Sequence, residues 1–183
     1  VRMTTFIQAS PSGAFTAASS DKGVDANWSG TGRGELRIAG SGDDLQSLYK
    51  GKALQVRILV NHKPEQPVFM GMRCALTFDE GLAVKNGTMP RPVDGGSNCK
   101  SSIPALYDIT AQLKAAKANT PVTVTLPLGC FAKHGASLNN VAAPMAMVTK
   151  GKASVTITDA RITNAASTVC PTGFAETPVT KVQ

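Results

Sequence analysis

The sequence predicts an all-β domain, a jelly-roll-like β-sandwich of about eight strands with one or two short helices. Three stretches carry that expectation. Val122, Val124, Leu126 and Leu128 alternate with Thr123, Thr125 and Pro127. Ala153, Val155 and Ile157 alternate with Ser154, Thr156 and Thr158. Leu54, Val56, Ile58 and Val60 alternate with Gln55 and Arg57. Period-two alternation puts every second side chain on one buried face, which is the signature of a half-buried strand.

The remaining elements follow in chain order. Val1 to Ile7 fit an edge strand, and the Ser-, Ala- and Gly-rich residues 8 to 27 fit loop with at most one short strand. After the glycine-rich turn behind Trp28, Leu36 and Ile38 alternate with Glu35 and Arg37 as a further strand. Asp43 or Asp44 is placed to cap a helical turn carrying Leu45, Leu48 and Tyr49. After the Leu54–Val60 strand, the two prolines of NHKPEQP mark a connection. Val68, Met70, Met72 and Cys74 form the next inward-facing set. Residues 79 to 104 form the longest irregular stretch, in which Asn86-Gly87 fits a turn. Leu106, Ile109, Leu113 and Ala116 have helical spacing, with Asp108 or Thr110 as cap and Pro121 preventing continuation. CFAKHGASLNNVAAP fits a helical turn and a loop, and residues 163 to 183 a tail. Beyond Asp159 the apolar positions change parity, to Ala160 and Ile162. A one-residue slip reverses the buried face, so a β-bulge or strand end is expected near Thr158 and Asp159. The expected division is an N-terminal strand and loop (1–24), the sandwich (25–165) and a C-terminal tail (166–183).

The 183 residues, 42% hydrophobic, suffice for one sizeable core. No apolar run approaches the ~18 residues of a membrane span. The chain begins at Val1, as expected of a processed product or a fragment, and VRMTTFIQAS lacks the apolar run of a signal peptide. The formal charge is +7, but the basic residues are scattered and aromatics make up only 5%, against the interleaved basic and aromatic residues of a single-strand binder. Nucleic acid is therefore not an expected partner. Cys74, Cys99, Cys130 and Cys170 form no C-x-x-C pair. Their even count and wide spacing fit disulfides in an oxidising compartment. Four cysteines allow three connectivities, and pairing in sequence order gives Cys74–Cys99 and Cys130–Cys170.

No motif for catalysis emerges. A glycosidase needs two carboxylates across a cleft, yet Asp43, Asp44, Asp79, Glu80, Asp94, Asp108 and Asp159 each suit a turn, a cap or a surface. His62 and His134 have no metal-ligand spacing. There is no G-x-S-x-G elbow, and neither GTGRG nor GSG is a phosphate loop. No metal or cofactor is expected apart from a Ca²⁺ candidate, Asp159 at the strand slip. A sugar ring stacks on an aromatic face while side-chain amides and imidazoles meet its hydroxyls. The candidates for that role are Trp28 and Tyr49, with His134, Asn139 and Asn140 in the loop before Val141. Trp28 equally suits a core position.

A set of ordered motifs runs through the chain. W-S-G at Trp28 is followed by G-D-D-L at Leu45, P-V-F-M-G-M-R-C (Pro67 to Cys74) and D-I-T-x-x-L (Asp108 to Leu113). Then come L-P-L-G-C-F-x-x-x-G-A-S-L from Leu126, V-x-x-P to Pro144, V-T-I-T-D-A-R-I from Val155, and Cys170-Pro171. The pattern resembles the C-terminal galactose-binding-like domain of bacterial family 3 glycoside hydrolases of the exo-1,3/1,4-β-glucanase (ExoP) type, over residues 25 to 171. The resemblance implies a galactose-binding-like sandwich that follows the catalytic domains of a secreted or periplasmic β-glucan-degrading enzyme. None of the family's catalytic motifs is present, so the chain is expected to be a non-catalytic accessory module. Its implied partners are carbohydrate and the enzyme's catalytic domains. The second expectation is a free-standing structural or partner-binding sandwich, whose basic surface recognises an acidic protein or polymer in place of neutral glucan.

Overall fold

The computed structural model describes residues 6–9, 13–38, 51–74, 78–88, 106–133, 141–167 and 169–173. Among the described residues, ten strands form two five-stranded antiparallel sheets, accompanied by three short helices. The first sheet contains β1 (Phe6–Ala9), β4 (Gly34–Ile38), β9 (Val141–Thr149), β6 (Val68–Cys74) and β7 (Leu106–Asp108), in that spatial order. The second contains β2 (Phe15–Ser20), β3 (Gly23–Ser29), β10 (Lys152–Asn164), β5 (Lys52–His62) and β8 (Val122–Pro127). The all-β sandwich is as the alternation predicts.

One face of each sheet meets the other in a single core. The second sheet contributes Val24, Ala26, Trp28, Leu54, Val56, Ile58, Val124, Leu126, Val155 and Ile157. The first sheet answers with Leu36, Ile38, Val68 and four methionines, Met70, Met72, Met145 and Met147. Unbranched methionines adapt to irregular gaps between twisted sheets. Two helices close the core. Ile109 and Leu113 enter from α2 (Thr110–Lys114) and the residue before it, and Leu128, Cys130 and Phe131 from α3 (Leu128–Lys133).

The strand slip is a bulge. β10 pairs with β5 through Ile157↔Ile58 and then Asp159↔Arg57, so Thr158 is the extra residue. The inward set changes there from Val155 and Ile157 to Ala160, which is 1% exposed. A disulfide joins Cys130 and Cys170, whose Cα atoms lie 5.5 Å apart. It ties the segment after β10 to α3. The same segment is anchored a second time, because the Asp108 amide donates to the Gly173 carbonyl.

Several local expectations are corrected. Residues 15 to 29 form two strands joined at Asp21-Lys22. Their small side chains, such as Ala17 and Ala26, hide the alternation. The irregular stretch after residue 78 opens with a helix, α1 (Phe78–Lys85). Asn86-Gly87 is its C-terminal cap: the Gly87 and Thr88 amides donate to the Val84 and Ala83 carbonyls, with Gly87 at φ 74°. This is a Schellman motif. Leu106 belongs to a short strand, and the helix begins only at Thr110. The Asp108 carboxylate accepts from the Thr110 amide at 2.9 Å. VAAP, expected as loop, opens β9. Pro144 fits because the register with β6 slips there, from Gly71↔Ala146 to Arg73↔Ala143, and a bulge tolerates a missing amide donor. Residues 43–49, with the expected capped turn, lie outside the described residues.

Candidate functional site

The two sheets present different outer faces. On the first, Glu35, Ala146 and Val148 are themselves buried. Glu35 is held there by two guanidinium groups, Arg37 Nε at 2.9 Å and Arg33 at 3.2 Å. On the second, alternation sends polar residues outward from every strand. Asp25, Asn27 and Ser29 project from β3, and Lys152, Ser154 and Thr156 from β10.

Register aligns these residues into rows. Thr16 pairs with Asn27, Asn27 with Ser154, and Ser154 with His62, so four strands contribute one polar row. Ser29 and Lys152 form the next outward pair, two residues further towards the sheet's end. On the opposite side of the row, Asp25 and Thr156 form the next outward pair. The Ser154 hydroxyl lies 2.6 Å from Asn27 Oδ1, to which it donates. The Thr156 hydroxyl donates to Asp25 Oδ1 at 2.6 Å and accepts from Asn61 Nδ2 at 2.9 Å. These bonds hold the outward side chains in fixed geometry before any ligand arrives.

A cavity of ≈ 220 Å³ opens at this end of the sheet. Thr16, Asn27, Ser29, His62, Lys152 and Ser154 line it, with the chain around 13–15 as a wall. None of its lining residues is acidic. His62 is about half exposed, with Nε2 3.6 Å from Glu65 Oε1. The volume falls below the roughly 300–1,000 Å³ of clefts for drug-sized molecules, which suits one small ring, and Ala14, Phe15 and Ala153 add apolar surface to the polar side chains. No group of three or more His, Cys, Asp or Glu among the described residues could hold a metal ion.

The residues singled out from sequence fall differently. Trp28 does not present a stacking face. It has the inward parity of Val24 and Ala26, is 2% exposed, and packs on Phe15 with ring centroids 4.8 Å apart. It borders the cavity from within the core, where its indole packs. Tyr49, His134, Asn139 and Asn140 lie outside the described residues, as does Cys99 of the expected Cys74–Cys99 pair. Asp159, the Ca²⁺ candidate, instead accepts from Arg161 Nε at 2.5 Å. The carboxylate holds that guanidinium above its ordinary pKa, through the hydrogen bond and the opposite charge. A metal ion would have to displace it. The row Thr16–Asn27–Ser154–His62 is not legible from sequence as a site, because residues 15 to 29 do not show there as two paired strands. Its one signal is the outward polar parity of Ser154 and Thr156.

Residues 11–162 match the Exop_C family, described as galactose-binding domain-like. Among solved structures, the chain is similar to the extra C-terminal domain of the exo-1,3/1,4-β-glucanase ExoP from a Pseudoalteromonas species. The TM-score is 0.56 and the identity 14%, over 88% of this chain and 78% of that one. Within the structure of the ExoP enzyme, the match covers 17% of that chain. The chain is also similar to the family 30 carbohydrate-binding module of the cellulosomal cellulase Cel9D-Cel44B of Clostridium thermocellum. There the TM-score is 0.54 and the identity 12%, over 91% of this chain and 95% of that one. A comparison with curated proteins gives no match. Two packed antiparallel sheets, the ordered motifs from Pro67 to Ile162 and the family match over 11–162 agree, and the chain belongs to the Exop_C family of galactose-binding-like domains.

Proposed function

We propose that the chain is a non-catalytic accessory module of a secreted or periplasmic carbohydrate-active enzyme, and that it holds saccharide on the outer face of its second sheet. The observation that carries this reading is the polar row Thr16–Asn27–Ser154–His62 bordering a cavity the size of one sugar ring. Sugar hydroxyls need hydrogen-bond partners already oriented, since each partner left unpaired loses more than a typical bond contributes. Asn27 and Ser154 are fixed by their mutual bond. The similarity to a carbohydrate-binding module and to a glucanase's extra domain supports the same role. In that role the catalytic domains of a carbohydrate-active enzyme are the partner, and the module raises the local substrate concentration.

No exposed aromatic ring faces the row among the described residues, so binding rests on the polar row and on the small apolar lining of Ala14 and Ala153. A Kd on the order of 1 mM for a single short oligosaccharide follows, equivalent to about −4 kcal/mol. Affinity electrophoresis through gels containing laminarin, a soluble cellulose, or an acidic polysaccharide tests the reading. Retardation in at least one gel, lost on Asn27→Ala with the thermal midpoint unchanged, is the expected result. Free migration of the unaltered chain in all of them would refute the proposal.

A further inference from the structure

We infer that the saccharide held in this cavity carries an acidic group, a carboxylate or a sulfate ester, seated against Lys152. The inference rests on the carbohydrate-binding reading and names its ligand class.

The argument is an inventory of donors and acceptors. Asn27 Oδ1 is occupied by the Ser154 hydroxyl. What Asn27 has left for a ligand is its amide NH₂, which offers two donors, and one lone pair of Oδ1. Lys152 adds an ammonium with three donors and no acceptor. It is exposed, and no ion pair engages it among the described residues. His62 adds imidazole, with Nε2 turned towards Glu65. Against these donors the lining offers no carboxylate. Asp25, on the same face, accepts from Thr156, and the Glu65 amide donates to the Lys152 carbonyl at 3.1 Å. Glu65 is 61% exposed and stands beside His62.

That balance discriminates between sugars. A neutral sugar presents hydroxyls that donate as well as accept. In a cavity lined by no carboxylate, their hydrogens fall to the hydroxyls of Thr16, Ser29 and Ser154 and to the second lone pair of Asn27 Oδ1, none of which carries charge. A carboxylate or sulfate only accepts, and it matches an amide NH₂ beside an ammonium. Hydrogen bonds with a charged partner are roughly twice as strong as neutral ones. The formal charge of +7 over the whole chain steers an anion towards the protein but does not place it. Lys152 places it, paired with Ser29 two residues along the strands from the Asn27–Ser154 pair and on the same face.

Calorimetric titration of the full chain at low salt tests this. The probes are a trigalacturonate, a sulfated carrageenan-derived oligosaccharide, and the neutral laminaritriose and cellotriose. An acidic trisaccharide is expected to bind at least about tenfold more tightly than the neutral pair. Lys152→Gln should reduce that binding by about tenfold, and raising sodium chloride from about 50 to 500 mM should weaken it further. Lys117→Gln, which removes an exposed lysine far along the chain, should leave it within about twofold. Preference between the trigalacturonate and the sulfated probe identifies the acidic group. Equal binding of neutral and acidic probes, indifferent to Lys152→Gln, overturns the inference while the saccharide reading stands. Equal losses from the two lysine variants, or equally tight binding of polyglutamate, also overturn it, since diffuse charge would then explain the affinity. Binding of no oligosaccharide at all removes the saccharide reading itself.

Discussion

The hydroxyl of Thr156 donates to the carboxylate of Asp25 at 2.6 Å, joining residues 131 positions apart across the β3–β10 pair. Asn61 donates to the same hydroxyl, so three strands of the second sheet are pinned through one oxygen. Thr156 is only 3% exposed. Thr156→Val keeps the shape and the strand propensity but removes the hydroxyl. It leaves Asp25 and Asn61 each without that partner. The expected loss is about 1–3 kcal/mol in urea unfolding. A loss under ~0.3 kcal/mol would mean that water replaces the hydroxyl at no cost.

The disulfide makes a larger contribution. Cys130 and Cys170 are separated by 40 positions. In the chain-entropy account a loop of that length is worth about 4 kcal/mol. Replacing both cysteines by alanine should lower stability by an amount of that order. It should also release the segment after β10, which hydrogen exchange reads at the Asp108 amide, bonded to the Gly173 carbonyl. Full protection of that amide in the double variant contradicts the anchoring role.

Two glycines separate backbone strain from crowding. Gly13 has φ 80° but open space around a built Cβ, whereas Gly23 has φ 142° and a Cβ there would lie 2.0 Å from the Ile157 carbonyl oxygen. That oxygen belongs to the β10 backbone and cannot move aside. Gly13→Ala should cost about 1 kcal/mol, the usual penalty for a side chain in the left-handed region. Gly23→Ala should cost well over ~2 kcal/mol and disturb the β2–β3 turn. Equal thermal midpoints for the two variants would contradict the close approach of Gly23 to β10.

Glu35, 1% exposed between Arg33 and Arg37, is a charged group held deep in the first sheet. Glu35→Gln preserves the size and leaves two guanidinium groups without their shared counter-charge. Since both arginines reach solvent, the loss expected is about 1–3 kcal/mol, below that of a fully buried pair. Chemical denaturation checks it, and an unchanged midpoint would show that the arginines do not depend on the Glu35 charge.

The strands with branched or long side chains are legible in the sequence. Leu54, Val56 and Ile58 are each 0% exposed, and the parity change at Asp159 locates a bulge to within a residue. What stays hidden has small or interrupted patterns. Phe15, Ala17, Ala26 and Trp28 belong to good strands, but alanine among serines carries little contrast. FDEGLAVK forms a helix with a glycine inside it and too few apolar positions to show a stripe. Leu106 lies on a three-residue strand, too short for any period to be counted, and its spacing merges with that of Ile109 and Leu113. The candidate site is harder still. Thr16, Asn27, Ser154 and His62 come from four strands, and only pairing register brings them into one row. Trp28 stands out as the lone tryptophan, but its strand parity, legible only once β3 is recognised, sends it inward.

The positions of β9 and β10 bear on how the chain is made. Each is the third strand of five in its sheet, and both come from residues 141–164. Remove them and four two-stranded ribbons remain: β1–β4, β6–β7, β2–β3 and β5–β8. A lone ribbon is marginally stable at best in water. During synthesis, therefore, neither sheet can close until its keystone emerges, and the apolar faces of eight earlier strands wait unburied for it. Nascent chains ending at Asn140 should be as open to protease as a denatured chain, and those that have released Asn164 from the ribosome should abruptly resist.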